Sequence, residues 1–255
     1  MAAYMMNMSE GLKILDIPKS FIGGDGVINP VLLWDSESVV LIDTGFPGQA
    51  DLFIDAIEET GSSLNELSHI LITHQDLDHI GSLSSLQKMA SEHLMTVSHC
   101  DEKPYIEFTK MPIKMTPERI TQIEKKLQGK INGTIVDMLE ELKSKVNNSV
   151  KDGDYLDICG GIDVIHTPGH TPGHLCYYLK KYKTVVVGDA LNLVNGVLEG
   201  PDPNFTNDMD LATQSLEKLL ELDFENIICY HGGLLKDDAK AKLELLCNIE
   251  SIKRL

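Results

Sequence analysis

The sequence predicts a single α/β domain over residues 1–255, made of two runs of strands that each lead into helices. Three observations carry this expectation. Short apolar runs bounded by turn residues recur along the chain, stretches with helical spacing separate them, and His/Asp clusters fall just past the ends of several predicted strands. That last position is where open α/β architectures bind ligands, because loops converge there while strands and helices hold them rigid. A chain of 255 residues with 42% hydrophobic content is long enough to bury a large core.

The first quarter reads as strands at 12–17, 31–34 and 39–42, the last closing on Asp43-Thr44-Gly45. A helix is expected over 49–59, where Leu52, Phe53, Ala56 and Ile57 form one face. A strand at 70–73 and a helix over about 80–91 follow. Residues 103–150 differ: they are rich in Lys, Glu and Met and punctuated by Pro104, Pro112 and Pro117. Ile135, Met138, Leu139, Leu142 and Val146 recur at helical spacing, and Ile120, Ile123 and Leu127 suggest a helix before them. This segment is expected to be a helical insertion, a lid and specificity element. Strands resume at 155–158, 162–166, 175–179 and 184–187, then a helix near 208–221, a strand at 227–230 and a closing helix from about 236 to 252.

A net charge of −17 and the lack of any Lys/Arg-rich run leave no surface for phosphate backbones, so nucleic acid is not an expected partner. No segment reaches about 18 uninterrupted apolar residues, so no membrane partner is expected either. The N-terminal MAAYMMNMSEGLK lacks the charge and apolar pattern of an export signal, which points to a cytoplasmic location. Five scattered cysteines never form a C-x-x-C pair, which argues against a disulfide framework and a thiolate zinc site. Oligomeric state is not legible.

The densest chemistry is THQDLDHIG, residues 73–81, with two histidines and two aspartates within six positions. His74 and Asp76, at i and i+2 of an extended segment, point the same way and can share one ion. Asp78 and His79 sit where the chain turns into a helix and reach a second position. His170 follows the strand at 162–166, Asp189 the strand at 184–187, and His231 the strand at 227–230. Adding His170 to the first pair and His231 to the second gives three ligands each, with Asp189 able to bridge. That count leaves room for a shared water, the open position a catalytic metal needs.

With these blocks in order, LIDTG (41–45), THQDLDHIG, HTPGH (166–170), GDA (188–190) and YHGG (230–233), the sequence resembles the metallo-β-lactamase fold superfamily of metal-dependent hydrolases. The resemblance implies an αββα four-layer sandwich, with the helical insertion at about 103–150 added to it. It implies two divalent metal ions, zinc first, with manganese or iron as alternatives. His74, Asp76 and His170 would hold one ion, Asp78, His79 and His231 the other, and Asp189 would bridge. Asp43 reads chiefly as opening the turn before Gly45, while the resemblance places it near the site as an orienter of ligands. His174, with the ligand positions already filled, is expected behind the ligands or in the pocket wall. The family's usual second histidine is Asp76 here, so the block reads H-x-D-x-D-H and trades an imidazole for a carboxylate.

The expected reaction is hydrolysis of a small carbonyl substrate, a lactone, ester, thioester or amide, by a hydroxide shared between two ions. Asp78 would orient the nucleophile and pass its proton on. Glyoxalase-II-like enzymes carry a glutathione-binding C-terminal region, whereas 22 residues follow Gly233 here. A diiron redox enzyme of the same fold and a non-catalytic metal-binding module are the alternatives. A nucleophilic Cys100 beside His99 has no second feature behind it. His69, His93 and His99 read as surface or core residues and His166 as packing or a support behind the ligands; Tyr105 and Tyr230 could donate to a substrate oxygen but read first as core. Met111, Met115 and Met138 read equally as pocket lining or helix packing.

Overall fold

A computed structural model describes residues 10–19, 24–127 and 135–253. The N-terminal stretch read for export signals lies mostly outside them, as do residues 128–134 of the insertion. Two six-stranded sheets face each other. Across the first run Gly11–Ile14, Val31–Trp34, Val39–Ile42, Leu67–Leu71, Met95–His99 and Asn148–Val150. Its first three strands are antiparallel and the rest parallel. Across the second run Gly233–Leu235, Asn226–Cys229, Thr184–Val186, Leu175–Leu179, Ile162–His166 and Tyr155–Leu156, with one parallel pair, Thr184–Val186 beside Asn226–Cys229.

The central strands are apolar at every position because both their faces are buried. In Val39–Ile42, Val40 and Ile42 face the second sheet and pack with Val164, Tyr177 and Val186. Val39 and Leu41 face outward onto Phe53 and Ile57 of helix Ala50–Glu58 and onto Leu83 and Leu86 of helix Leu83–Met89. The second sheet mirrors this: Val185, Ile227 and Cys229 face outward onto Leu216, Leu219 and Leu243. The alternation yields four layers, helix, sheet, sheet, helix, the αββα sandwich.

Among the described residues of 103–150 the helices are Lys103–Ile106, Pro117–Leu127 and Ile135–Glu141. Met115, Ile123, Ile135, Leu139 and Leu142 make a small core of their own, against which Leu77 of the THQDLDHIG loop is packed. The segment's last residues, Asn148–Val150, depart from the helical reading and pair with residues 97–99 as the edge of the first sheet. Three residues with two polar side chains give no apolar run to read. Strand Met95–His99 escaped for the same reason: Thr96 and Ser98 alternate with its apolar positions, yet both are fully buried. The helix expected over 80–91 is two, Leu77–Ile80 and Leu83–Met89, parted at Gly81-Ser82. Among the described residues no helix is long and apolar enough to cross a membrane.

Candidate metal centre

Strand ends from both sheets meet at one edge of the sandwich. Past Leu71 the chain stays extended through Ile72, whose amide donates to the Val97 carbonyl (2.9 Å), and reaches Thr73. Beside it, Asp43 takes a left-handed φ of 63°, which turns its carboxylate back onto this loop. Its Oδ1 accepts from the Thr73 amide (2.9 Å), and its Oδ2 accepts from the Thr73 hydroxyl and from His79 Nδ1, each at 2.8 Å. Asp76 caps the short helix Leu77–Ile80, its carbonyl accepting from the amides of His79 (2.8 Å) and Ile80 (3.0 Å). Gly81 is required by a close approach: a Cβ there would stand 2.3 Å from the Pro47 nitrogen.

From the second sheet, the loop after Ile162–His166 brings His170, and Leu175 then donates its amide to the Thr73 carbonyl at 2.9 Å, joining the two sheets at this edge. Asp189 follows Gly188, whose φ of +49° and 2.8 Å approach to His174 Nε2 leave no room for a side chain. His231 follows strand Asn226–Cys229 through Tyr230, whose hydroxyl donates to the Asp78 carbonyl.

All seven candidate ligands gather here. His74, Asp76, His170 and Asp189 offer atoms within 4.8 Å of one another, and so do Asp78, His79 and His231. His74 Nε2 and His170 Nε2 lie 3.2 and 3.1 Å from Asp76 Oδ2. His231 Nε2 lies 3.4 Å from Asp78 Oδ2. Asp189 touches both groups, at 3.2 Å from His79, 3.5 Å from His170 and 3.6 Å from His231.

The donor set fits metal ions on an observation independent of spacing. His79 Nδ1 donates to Asp43, and His74 Nδ1 faces Thr73 Oγ1 (3.0 Å), whose own proton goes to Asp43. With Nδ1 engaged in this way, Nε2 is the atom each ring has left to offer an ion at the centre. These two atoms and Asp189 Oδ1 are buried without a hydrogen-bond partner among the described residues, each a cost of about 1–3 kcal/mol if left so. Acceptors facing acceptors call for a cation between them, and imidazole with carboxylate suits a divalent transition metal.

The electrostatics say the same. Burial opposes the charge on Asp76, but His74 and Lys114 outweigh it and hold the carboxyl well below its ordinary range. Burial also works against His79 and His231, yet Asp189 and its neighbouring carboxylates push His79 well above its usual value and His231 up to about 9. His74 is lowered to about 4, by burial and then by His79. The centre thus carries an excess of carboxylates that draws protons onto imidazoles, a demand divalent ions also meet.

His174, the other candidate orienter, is fully buried and uses Nε2 to accept the Asp189 amide (3.2 Å) while Nδ1 meets Thr167 Oγ1 (2.9 Å). Its ring has no lone pair left for an ion. Of the residues read as packing, His166 stacks on His99 with centroids 4.1 Å apart. Cys100 is exposed and, with Tyr105, absent from the walls of the cavity that opens on the centre. Met115 lines that cavity and also packs in the insertion core.

Two residues were missed in the sequence. Lys114, from the insertion, places Nζ against Asp76 Oδ2 and 2.7 Å from His170 Nε2. Glu102 is fully buried beneath the loops that carry the ligands. Neither has a spacing relation to THQDLDH; only folding brings them near. The cavity has a volume of about 750 Å³, and its walls include Phe46, Lys114, Met115, Arg119 and Phe205 beside the candidate ligands.

Known proteins resemble this chain in sequence and in fold. The metallo-beta-lactamase superfamily pattern matches residues 23–231. The probable metallo-hydrolase YflN of Bacillus subtilis is 27% identical over 215 residues, covering 78% of this chain and 76% of that protein. The hydroxyacylglutathione hydrolase of Rhizobium meliloti is 27% identical over 201 residues, 78% of this chain and 60% of that enzyme. The crystal structure of metallo-beta-lactamase family protein TTHA1429 from Thermus thermophilus superposes with a TM-score of 0.68 at 23% identity, over 94% of this chain and 80% of that one. Its sheets, its sheet-edge cluster of histidines and aspartates, and a family match that runs from residue 23 to His231 agree: the chain belongs to the metallo-beta-lactamase superfamily.

Proposed function

We propose that the protein is a dinuclear metal-dependent hydrolase of a small carbonyl compound, a lactone, ester, thioester or amide. The observation that carries this is the buried set of unpartnered atoms, His74 Nε2, His79 Nε2 and Asp189 Oδ1, aimed into one centre at the floor of an open cavity. His74, Asp76 and His170 would hold one ion, Asp78, His79 and His231 the other, and Asp189, which touches both groups, would bridge. Two divalent ions held there would supply a water whose pKa falls to about 7 and a Lewis acid for the carbonyl oxygen.

The remaining work falls to the chain. Asp78 is partly open to the cavity and kept below its ordinary pKa, chiefly by His79 and His231 against the effect of burial. It therefore stands ionised, orients the attacking water and takes its proton toward the leaving group. Lys114 brings an ammonium to the cavity floor, where charge develops on the carbonyl oxygen. The insertion forms one wall through residues 112–123 and excludes water from bound substrate. A cavity of about 750 Å³ suits a metabolite-sized molecule. The likeness to a hydroxyacylglutathione hydrolase supports a thioester as one candidate.

Metal analysis of protein purified without added metal, followed by a screen of lactones, thioesters and chromogenic esters with and without chelator, tests the reading. Chelator-sensitive hydrolysis supports it. Iron with oxygen consumption and no hydrolysis replaces it with a redox enzyme, and bound metal with no turnover replaces it with a binding module.

A further inference from the structure

Glu102 is an anomaly by composition: a fully buried carboxylate. Burial holds its carboxyl above the ordinary range, against hydrogen bonds from Gln75, Thr171 and Gly173 that pull it down. The donors come from two places. Oε2 accepts from both the main-chain amide and Nε2 of Gln75, each at 2.9 Å, and Oε1 accepts from the Gly173 amide at 2.7 Å. Gln75 lies between His74 and Asp76 on the first sheet's loop, and Gly173 immediately precedes His174 on the loop that carries His170. A third loop is attached through Gln75, whose Oε1 accepts from the Ile113 amide at 2.8 Å, next to Lys114.

We propose that Glu102 is a positioning residue of the metal centre, a buried clamp that fixes the distance between the His74/Asp76 loop and the His170/His174 loop and ties the Lys114 loop to both. A carboxylate is the group such a clamp requires. It accepts at both oxygens and donates at neither, so it can serve N–H groups arriving from opposite sides. Charge makes those bonds about twice as strong as neutral ones. A glutamine would turn an NH2 toward Gly173 or Gln75 and set donor against donor. Packing is as tight: a Cβ on Gly173 would stand 2.9 Å from Glu102 Cγ and 3.0 Å from Oε1. The inference rests on reading His74, Asp76 and His170 as metal ligands, since the clamp holds the loops that present them.

Zinc titration of the metal-free full-length chain by calorimetry tests it in Glu102→Gln and Gly173→Ala. Glu102→Gln attacks the carboxylate, whereas Gly173→Ala leaves it in place and pushes its partner loop away. Each is expected to weaken zinc binding about 10- to 100-fold, the range seen when groups behind metal ligands are lost. Leu243→Ala, in the outer helix of the second sheet, is the control for instability alone and is expected to keep wild-type zinc affinity. Should Glu102→Gln fail to fold, Gly173→Ala decides. Wild-type affinity in a folded Glu102→Gln or Gly173→Ala protein, or an equal loss in Leu243→Ala, overturns the proposal. Failure of the wild-type chain to bind zinc at all would instead sink the metal-site reading beneath it.

Discussion

The two halves of the molecule feed the same centre in different ways. The first supplies four of the seven candidate ligands, His74, Asp76, Asp78 and His79, from one turn of chain, whereas the second supplies His170, Asp189 and His231 from three separate loops. Local rules shape the first set: extended backbone pairs His74 with Asp76, a capped helix turns Asp78 and His79 inward, and Asp43 holds His79 from behind. The second set has no local shape. Its geometry exists only once Ile162–His166, Thr184–Val186 and Asn226–Cys229 are assembled in the second sheet, the first of them parted from the second by Leu175–Leu179. A contiguous block should therefore tolerate damage one ligand at a time, while the dispersed half concentrates its contribution in the residue that touches both groups.

Asp189→Ala is the severest way to break that comparison. Because Asp189 reaches His79, His170 and His231, its loss should remove at least one ion per chain and weaken metal binding by more than the ~100-fold that loss of a group behind the ligands costs at most. The fold should persist by circular dichroism, and full metal occupancy in this variant would end the bridging assignment. Next come the supports behind each half. Asp43→Asn keeps a residue tolerant of left-handed backbone but sets an amide against Thr73 or His79, and His174→Phe leaves the Asp189 amide without its acceptor. Each should lower metal affinity about 10- to 100-fold. Unchanged titrations would show that the ligands hold their own positions.

Asp76→His changes preference more than affinity. Three aspartates against two divalent ions leave one net positive charge, and the histidine variant leaves two, with a softer donor. Protein grown in mixed-metal medium should carry a higher zinc fraction than the wild type; an unchanged ratio would mean Asp76 does not set metal choice. The smallest effect on metal is expected from replacing residues 116–142 with a short linker, which spares Ile113, Lys114 and the edge strand Asn148–Val150. KM and substrate selectivity should shift while metal content holds, and loss of metal would make the insertion part of the centre's frame.

The same contrast explains what was legible beforehand. Strands such as Val39–Ile42 and Leu175–Leu179 show in the sequence because burial on both faces makes every position apolar. Met95–His99 does not, because its buried Thr96 and Ser98 find polar partners inside: Gln87 donates to Thr96 Oγ1 at 2.7 Å, and the Ser98 hydroxyl donates to the His99 carbonyl at 3.2 Å. The candidate ligands were readable since histidine and aspartate recur together past the ends of several strands and, in THQDLDH, stand in one short block. Lys114 and Glu102 were not, since a lysine in a charged insertion and a glutamate after Asp101 look like solvated surface. Only the packing of Met115 and Leu77 in one small core and the burial of Glu102 under Gln75 give them a role.

The central claim is that strand ends from both sheets build one site for two ions. Metal content per chain, measured on protein purified without added metal and again after dialysis against chelator and reloading, tests it most directly. Two divalent ions per chain are expected, lost to chelator and regained together with hydrolytic activity. A chain that never holds more than one ion, or that hydrolyses its substrate equally well after the metal is stripped, would contradict it.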